Sequence, residues 1–182
     1  MQKQIKLRPG FVLKPLTTRN KKAGLAVLNK LFPTYRDPQS GPEKWYDLAL
    51  NKNTPENKAW YAKDKAYALH FFLVYDSRKN KIIGGTGVYF VKKSKKKEAW
   101  LRWYGILPKY RGRGLGKALL IWSEQYAKRR HVSELHVCTS TLKSERGAQI
   151  VYRKRGFAIV RKIRYKNYWF TTIFRRKLLI AA

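Results

Sequence analysis

The most constraining feature of this sequence is a strand-like run that passes through a proline into a glycine-rich loop and then directly into a helix. The run Glu98–Leu107 is rich in Trp and Tyr, which favour strands, and Pro108 ends it. The loop Arg111–Gly116 reads RGRGLG, and Leu115–Arg130 carries apolar residues at helical spacing. Glycines allow the backbone amides to turn inward, and the first amides of a helix favour an anion. The loop is therefore predicted to bind a phosphate group, most naturally a pyrophosphate.

Two common phosphate-binding patterns do not fit this loop. The triphosphate-binding pattern GxxxxGK[ST] fails because Lys117 is followed by Ala118. The dinucleotide-binding pattern GxGxxG fails because Lys117 stands where the third glycine belongs. The loop still carries the positive charges of Arg111, Arg113 and Lys117, which suit an anionic ligand.

The remaining segments alternate between strand and helix patterns. Strands are predicted at 11–15, 66–75, 81–91, 134–139, 157–165 and 169–178, and helices at 21–32, 43–50 and 145–155. The stretch 51–64 can be either a loop or an irregular helix. The segment Gly84–Gly87 interrupts its strand and predicts a bulge or a close backbone approach. This order predicts a mixed α/β fold in a single domain over residues 1–182, with its core at about 11–178.

Two segments in the expected order resemble the GNAT N-acetyltransferase superfamily. That family has a Q/R-x-x-G-x-G/A loop between its fourth strand and third helix, and Arg111, Gly114 and Gly116 match it. Downstream, Val151–Phe157 reads VYRKRGF and resembles the family's LY-x-K-x-GF segment. The resemblance implies a twisted, mostly antiparallel sheet of about six or seven strands, splayed in a V between strands four and five, with about four flanking helices.

The resemblance implies an N-acetyltransferase that uses acetyl-CoA as its co-substrate. The glycine loop would hold the coenzyme A pyrophosphate, and the strand before it would lie along the pantetheine, with the Ile106 amide polarising the thioester carbonyl. Glu145 stands where many members have an asparagine that touches the pantetheine. The residues that the resemblance predicts to bind coenzyme A are Ile106, Leu107, Pro108, Arg111, Gly112, Arg113, Gly114, Leu115, Gly116, Lys117 and Glu145.

The resemblance also implies how the acetyl group moves. Tyr152 matches a tyrosine that the family often uses as the general acid toward the leaving thiolate. Members that use a glutamate base often place it where this chain has Trp100, and Glu98, two residues earlier, is the candidate here. A water held by the protein is an alternative, as is no base at all for an amine that arrives neutral. Cys138 is predicted to be a small buried apolar residue and not a nucleophile, because the family transfers the acetyl group directly.

Composition excludes several other classes of protein. Hydrophobic residues make up 44% of the chain and aromatic residues 14%, which excludes disorder over most of its length. The single cysteine and three scattered histidines predict no disulfide and no metal site. No window approaches the roughly 18 apolar residues of a membrane span. The first ten residues lack the apolar region of a signal peptide, so a cytoplasmic protein is expected.

The net charge points to anionic partners without identifying them. The chain has 42 Lys and Arg against 10 Asp and Glu, a net charge of +32. The densest basic run, Lys92–Lys97, is either a nucleic-acid contact or a solvated turn. Acceptor amines on a peptide, a small molecule or RNA are all compatible, and anionic acceptors would be attracted. The alternative function is a basic nucleic-acid-binding protein with the same fold and no acetyl transfer. Assembly into a homodimer is also left open.

Overall fold

The computed structural model describes residues 5–33, 41–93 and 96–179, and a single twisted sheet of eight strands forms its centre. The spatial order of the strands is β1-β2-β3-β4-β5-β6-β8-β7. All neighbours are antiparallel except β5 and β6, which are parallel. The strands are β1 (Ile5–Arg8), β2 (Phe11–Pro15), β3 (Ala66–Asp76), β4 (Lys81–Lys93), β5 (Lys96–Ile106), β6 (Glu134–Ser140), β7 (Ala158–Ile163) and β8 (Thr172–Leu178).

Five α-helices of the described residues cover the two faces of this sheet. They are α1 (Thr18–Leu31), α2 (Pro42–Leu50), α3 (Pro55–Lys63), α4 (Leu115–Lys128) and α5 (Arg146–Lys154). The alternation of β3 shows the two layers: Leu73 packs with α1, α2 and α3, whereas its neighbours Phe72 and Val74 pack with α4. None of the described helices combines the length and hydrophobicity that a bilayer crossing requires.

The mixed α/β fold predicted from the sequence is confirmed, with two additions. The sheet gains β1, which folds back on β2 at the edge, so eight strands replace the expected six or seven. The stretch 51–64, for which the sequence allowed either a loop or an irregular helix, contains α3. The number of helices in the described residues is therefore five. The start of α3 carries ordinary signals, because the Thr54 hydroxyl accepts a hydrogen bond from the Asn57 amide at 3.3 Å and Pro55 occupies the first helical position.

The V-shaped splay of the sheet lies between β5 and β6. These are the strands that were expected as four and five, because β1 adds one strand before them. These strands pair only from Glu98 to Leu101 on β5, opposite Glu134 to Val137 on β6. Beyond that point β5 continues to Ile106 beside β4, while β6 stays paired with β8. The two strands therefore separate and leave an opening at the carboxyl end of β5.

A bulge marks the point where the splay begins. The register of β4 and β5 shifts between Gly85 and Gly87, as the glycine segment predicted. At Gly84 a side chain would collide with the Gly105 carbonyl oxygen, so this close approach requires glycine. On β5, Trp103 adopts a left-handed backbone with φ of 49°, a strained conformation that costs about 1–3 kcal/mol. Such strain is typical of functional sites, and here it lies beside the opening.

Candidate active site

The glycine loop forms an anion cradle at the start of α4. Gly114 is the residue that precedes the helix and has a left-handed backbone with φ of 72°. A β-carbon at this position would lie 2.5 Å from Nη1 of Arg8, so the arginine from β1 reaches across the loop. Unpaired helix amides, a left-handed glycine and a guanidinium together fit a pyrophosphate. No local pattern in the sequence points to Arg8, because only the pairing of β1 at the sheet edge brings it to the loop.

A cleft of about 350 Å³ extends from this cradle along the end of β5. Its walls come from the ends of α1 and β5, the glycine loop and the first turn of α5. Most of the predicted cofactor residues line it, namely Ile106, Arg111, Gly112, Gly114, Leu115, Gly116, Lys117 and Glu145. Leu107 and Pro108 are not among the lining residues, and the Arg113 guanidinium lies over the Tyr110 ring at 5.5 Å.

The backbone of Ile106 faces the opening between β5 and β6. The Leu107 amide donates to the Ile83 carbonyl at 2.8 Å and therefore points toward β4. Because successive amides of a strand point to opposite sides, the Ile106 amide points away from β4. The Ile106 carbonyl accepts a hydrogen bond from Nε of Arg111 at 2.9 Å on that side. An amide donor thus stands at the opening, where no strand pairs with it.

A second cavity of about 670 Å³ adjoins the first at the splay. The two share the side chains of Phe32, Tyr104, Glu145 and Ala148 as lining residues. The second cavity continues along β6 to the connection between β7 and β8, where Tyr165 and other aromatic residues line it. A ligand in the first cleft and another in the second would therefore meet between β5 and β6.

Tyr152 on α5 lines the second cavity next to this junction. Its ring is 5.7 Å from that of Tyr104, and burial raises the pKa of Tyr152 well above its ordinary value. The two tyrosines differ in what their hydroxyls do. Tyr104 donates to the Gly116 carbonyl at 2.7 Å, whereas no hydrogen bond within the described residues involves the Tyr152 hydroxyl. The proton of Tyr152 is therefore held on the phenol and is available to a ligand.

Glu145 lies at the junction of the two cavities. It ends the short turn before α5, and its carboxylate accepts hydrogen bonds from the Thr139 hydroxyl at 2.5 Å and the Ser140 amide at 2.7 Å. These bonds fix the carboxylate against β6 and join β6 to the start of α5.

The structure does not bring Glu98 to this site. Glu98 lies in the paired part of β5, where Nε2 of His136 is 3.9 Å from its carboxylate and 3.0 Å from that of Glu134. It lines neither cavity. Ile106 lies eight positions further along the chain, which is about 26 Å along a strand. The reason is the strand register, which places Glu98 at the closed end of the V.

Cys138 on β6 lines the second cavity and is a free, partly buried thiol. Burial raises its pKa, and the nearby Arg102 guanidinium only partly offsets this effect. The thiol therefore stays protonated at neutral pH, which makes it a poor nucleophile.

Comparison with known proteins decides the family. Residues 25–157 match the model of the acetyltransferase (GNAT) family. The chain belongs to this family. It is therefore an acyltransferase of the GNAT type, as its two sequence motifs indicated. No curated protein sequence matches the chain.

Solved structures with the same fold cover nearly the whole chain. The NatC complex bound to Gag peptide and CoA matches at 19% identity with a TM-score of 0.68, over 93% of this chain and 99% of that one. The ribosomal L7/L12 alpha-N-protein acetyltransferase RimL, in complex with coenzyme A, matches at 13% identity with a TM-score of 0.67, over 97% and 98%. The ribosomal-protein-S5-alanine acetyltransferase from Vibrio fischeri matches at 13% identity with a TM-score of 0.66, over 97% of each chain.

Proposed function

We propose that this GNAT protein moves an acetyl group from acetyl-CoA directly to a primary amine. The observation that carries the proposal is the meeting of two cavities at the splay of the sheet. One cavity begins at the anion cradle of the glycine loop, and the other opens toward the connection between β7 and β8. Each substrate thus has its own entrance, which suits a direct transfer without a covalent enzyme intermediate.

The cofactor residues have distinct tasks in this proposal. The amides before α4 and the Arg8 guanidinium hold the pyrophosphate, because both present donors to one point. The pantetheine follows the cleft past Ile106, with Glu145 and Ala148 on the opposite wall. Leu107, Pro108 and Arg113 shape the turn into the loop rather than line the cleft.

Acetyl-CoA supplies the activated acetyl group, and two protein groups meet the charge that the reaction develops. The Ile106 amide donates a hydrogen bond to the thioester oxygen as negative charge accumulates there. The Tyr152 phenol gives its proton to the departing thiolate. Glu145 is the only carboxylate among the described residues of the second cavity, and it already accepts two hydrogen bonds. Water in this open cavity is therefore the proposed acceptor of the amine proton.

A peptide amine is the first acceptor to test. The similar structures include a complex with a Gag peptide and two enzymes that are named for the ribosomal proteins they acetylate. No observation on the described residues favours the nucleic-acid-binding alternative. The side chains of the basic run from Lys93 to Lys97 lie outside the described residues, so an RNA contact through this run stays a sequence prediction. Cytoplasmic location and homodimer formation also stay predictions.

Acetyl-CoA binding should stabilise the folded protein measurably. At a free concentration of about 100 times its dissociation constant, the ligand adds about 2.7 kcal/mol to the free energy of unfolding. A thermal-shift titration, followed by a thiol-release assay with a panel of peptide and small-molecule amines, tests this directly. The absence of any shift at millimolar acetyl-CoA would contradict the proposal.

Arg8→Gln should weaken acetyl-CoA binding by about two- to fivefold, because an exposed ion pair contributes up to about 1 kcal/mol. The loss should shrink as salt is raised, since exposed charges are screened. Isothermal titration calorimetry at low and high salt measures both effects. Arg19→Gln, an exposed arginine on α1 that lines neither cavity, is the matched control. If both variants lost the same amount of acetyl-CoA affinity, the effect would come from the net charge of the protein and not from the position of Arg8.

A further inference from the structure

Arg102 occupies the wall of the second cavity at the point where β5 leaves β6. It follows Leu101, the last residue of β5 that pairs with β6. Its guanidinium lies over the Trp45 ring at 4.4 Å and near the Trp103 ring at 5.5 Å. These aromatic contacts hold the side chain in place, because a guanidinium stacks well on ring faces. They satisfy none of its five N–H donors with a hydrogen-bond acceptor.

The guanidinium has no anionic partner within the described part of the chain. Its Nε atom is buried without a hydrogen bond, and no ion pair there involves Arg102. A buried donor without an acceptor destabilises the folded state, and such groups are rare in folded proteins. Glu145, the one carboxylate that lines this cavity in the described residues, is engaged by Thr139 and Ser140. The Arg102 guanidinium is therefore a positioned cation at the cavity wall, and its N–H donors can bind a ligand.

The Arg102 charge acts on another residue that lines the same cavity. Burial dominates the raised pKa of the Cys138 thiol, and the Arg102 charge opposes it. The pKa of Tyr152 is likewise raised chiefly by burial, with Cys138 among the smaller contributors, and Arg102, Cys138 and Tyr152 all line the second cavity. An anion bound at Arg102 would thus sit in the cavity that holds the proposed general acid.

We infer that Arg102 binds a carboxylate of the acceptor, so that the enzyme acetylates primary amines that carry a nearby carboxylate. The inference rests on the proposed function, because it assigns the second cavity to the acceptor. A planar carboxylate pairs with the guanidinium fork through two parallel hydrogen bonds. A carboxylate carries a single charge, which one guanidinium can neutralise. A phosphate dianion would need more cations, and only Lys166 joins Arg102 among the basic residues that line this cavity.

Two sources of the carboxylate are distinguished by matched substrates. One set contains tetrapeptide amides with a free N-terminus that differ only by Glu or Gln at the second or third position. The other set contains free glutamine, which has an α-carboxylate beside its amine, and glutamine α-amide, which lacks it. The measurements are kcat/KM for thiol release from acetyl-CoA, and calorimetric binding of each compound to the complex with coenzyme A.

The wild-type protein should prefer the carboxylate member of at least one pair by about 10- to 100-fold, since a hydrogen bond to a charged group contributes about 1.5–3 kcal/mol. Arg102→Gln should abolish this preference, so that both members of a pair react equally well, while acetyl-CoA still binds. Arg102→Lys should retain only part of it, because an ammonium lacks the fork. Arg129→Gln, an exposed arginine at the end of α4, removes the same charge outside both cavities and should leave the preference intact.

The outcomes separate this inference from the proposed function. Equal binding and turnover of carboxylate and carboxamide by the wild type, or a preference that survives in Arg102→Gln, would overturn the role of Arg102. If carboxylates bind in an Arg102-dependent manner but no acetyl transfer occurs, Arg102 keeps its role and the proposed reaction fails. A preference within the peptide pairs without one for free glutamine over its α-amide identifies an acidic peptide as the source.

Discussion

Gly114→Asp is expected to abolish acetyl-CoA binding while the protein remains folded. The residue has a φ of 72°, so any side chain is strained there, and its β-carbon would meet the Arg8 guanidinium. The new carboxylate would occupy the anion cradle and repel the pyrophosphate. Each hydrogen bond to a charged group contributes about 1.5–3 kcal/mol, so the loss of one or two of them lowers affinity by about a hundredfold or more. Calorimetric titration with acetyl-CoA measures the change.

Gly156→Asp is the matched control for this variant. Gly156 has a φ of 79° and lies outside both cavities, and a β-carbon added to it would have no neighbouring atom within 4 Å. Both variants should lose about 1–2 kcal/mol of stability from the left-handed backbone. Only Gly114→Asp should lose the ligand. Tight binding by Gly114→Asp, or an equal loss in Gly156→Asp, would mean that the loop does not hold the pyrophosphate.

Tyr152→Phe is expected to lower turnover by about 10²–10⁴-fold and to leave acetyl-CoA affinity nearly unchanged. Only the hydroxyl is removed, so the buried ring keeps its packing against Tyr104 and Phe157. Since burial raises the pKa of Tyr152, its acid form persists to higher pH than usual. The wild type should therefore show no loss of turnover from this group below about pH 10. Single-turnover measurements over a pH series separate the chemical step from product release.

Tyr126→Phe provides the comparison for Tyr152→Phe. Tyr126 on α4 lies outside both cavities, and its hydroxyl is bonded to Nδ1 of His70 at 2.9 Å. This variant loses a partly buried hydroxyl without touching either substrate, so its turnover should match the wild type. Unchanged turnover in Tyr152→Phe would mean that Tyr152 only packs in the hydrophobic core. The leaving thiolate would then be protonated by water.

The glycine loop that lines the first cleft was predictable because its information is local in sequence. The order strand, proline, glycine loop and helix fixes how the backbone between Ile106 and Leu115 must turn. The structure places the same loop at the start of α4 with left-handed glycines. The segment around Gly84 was predictable for the same reason, because a glycine inside a strand records a backbone constraint at that position.

The acceptor side was not predictable because it depends on strand register and packing. Glu98 and Arg102 are only four residues apart on β5, yet one lies at the closed end of the V and the other at its opening. No residue type within β5 or β6 marks where these two strands part. Arg8 is likewise near the glycine loop only because β1 joins the sheet edge.

Local sequence pattern was enough to predict the α/β fold and the glycine loop, and the family resemblance pointed to Tyr152 as the general acid. Which charged residues meet the substrates depends instead on how the strands assemble. A sheet brings together side chains that are distant in the chain, and a shift of one residue in register turns each of them to the other face. Arg102 lines the second cavity because the bulge beside Gly85 sets the register of β5 and because the pairing of β5 with β6 ends at Leu101.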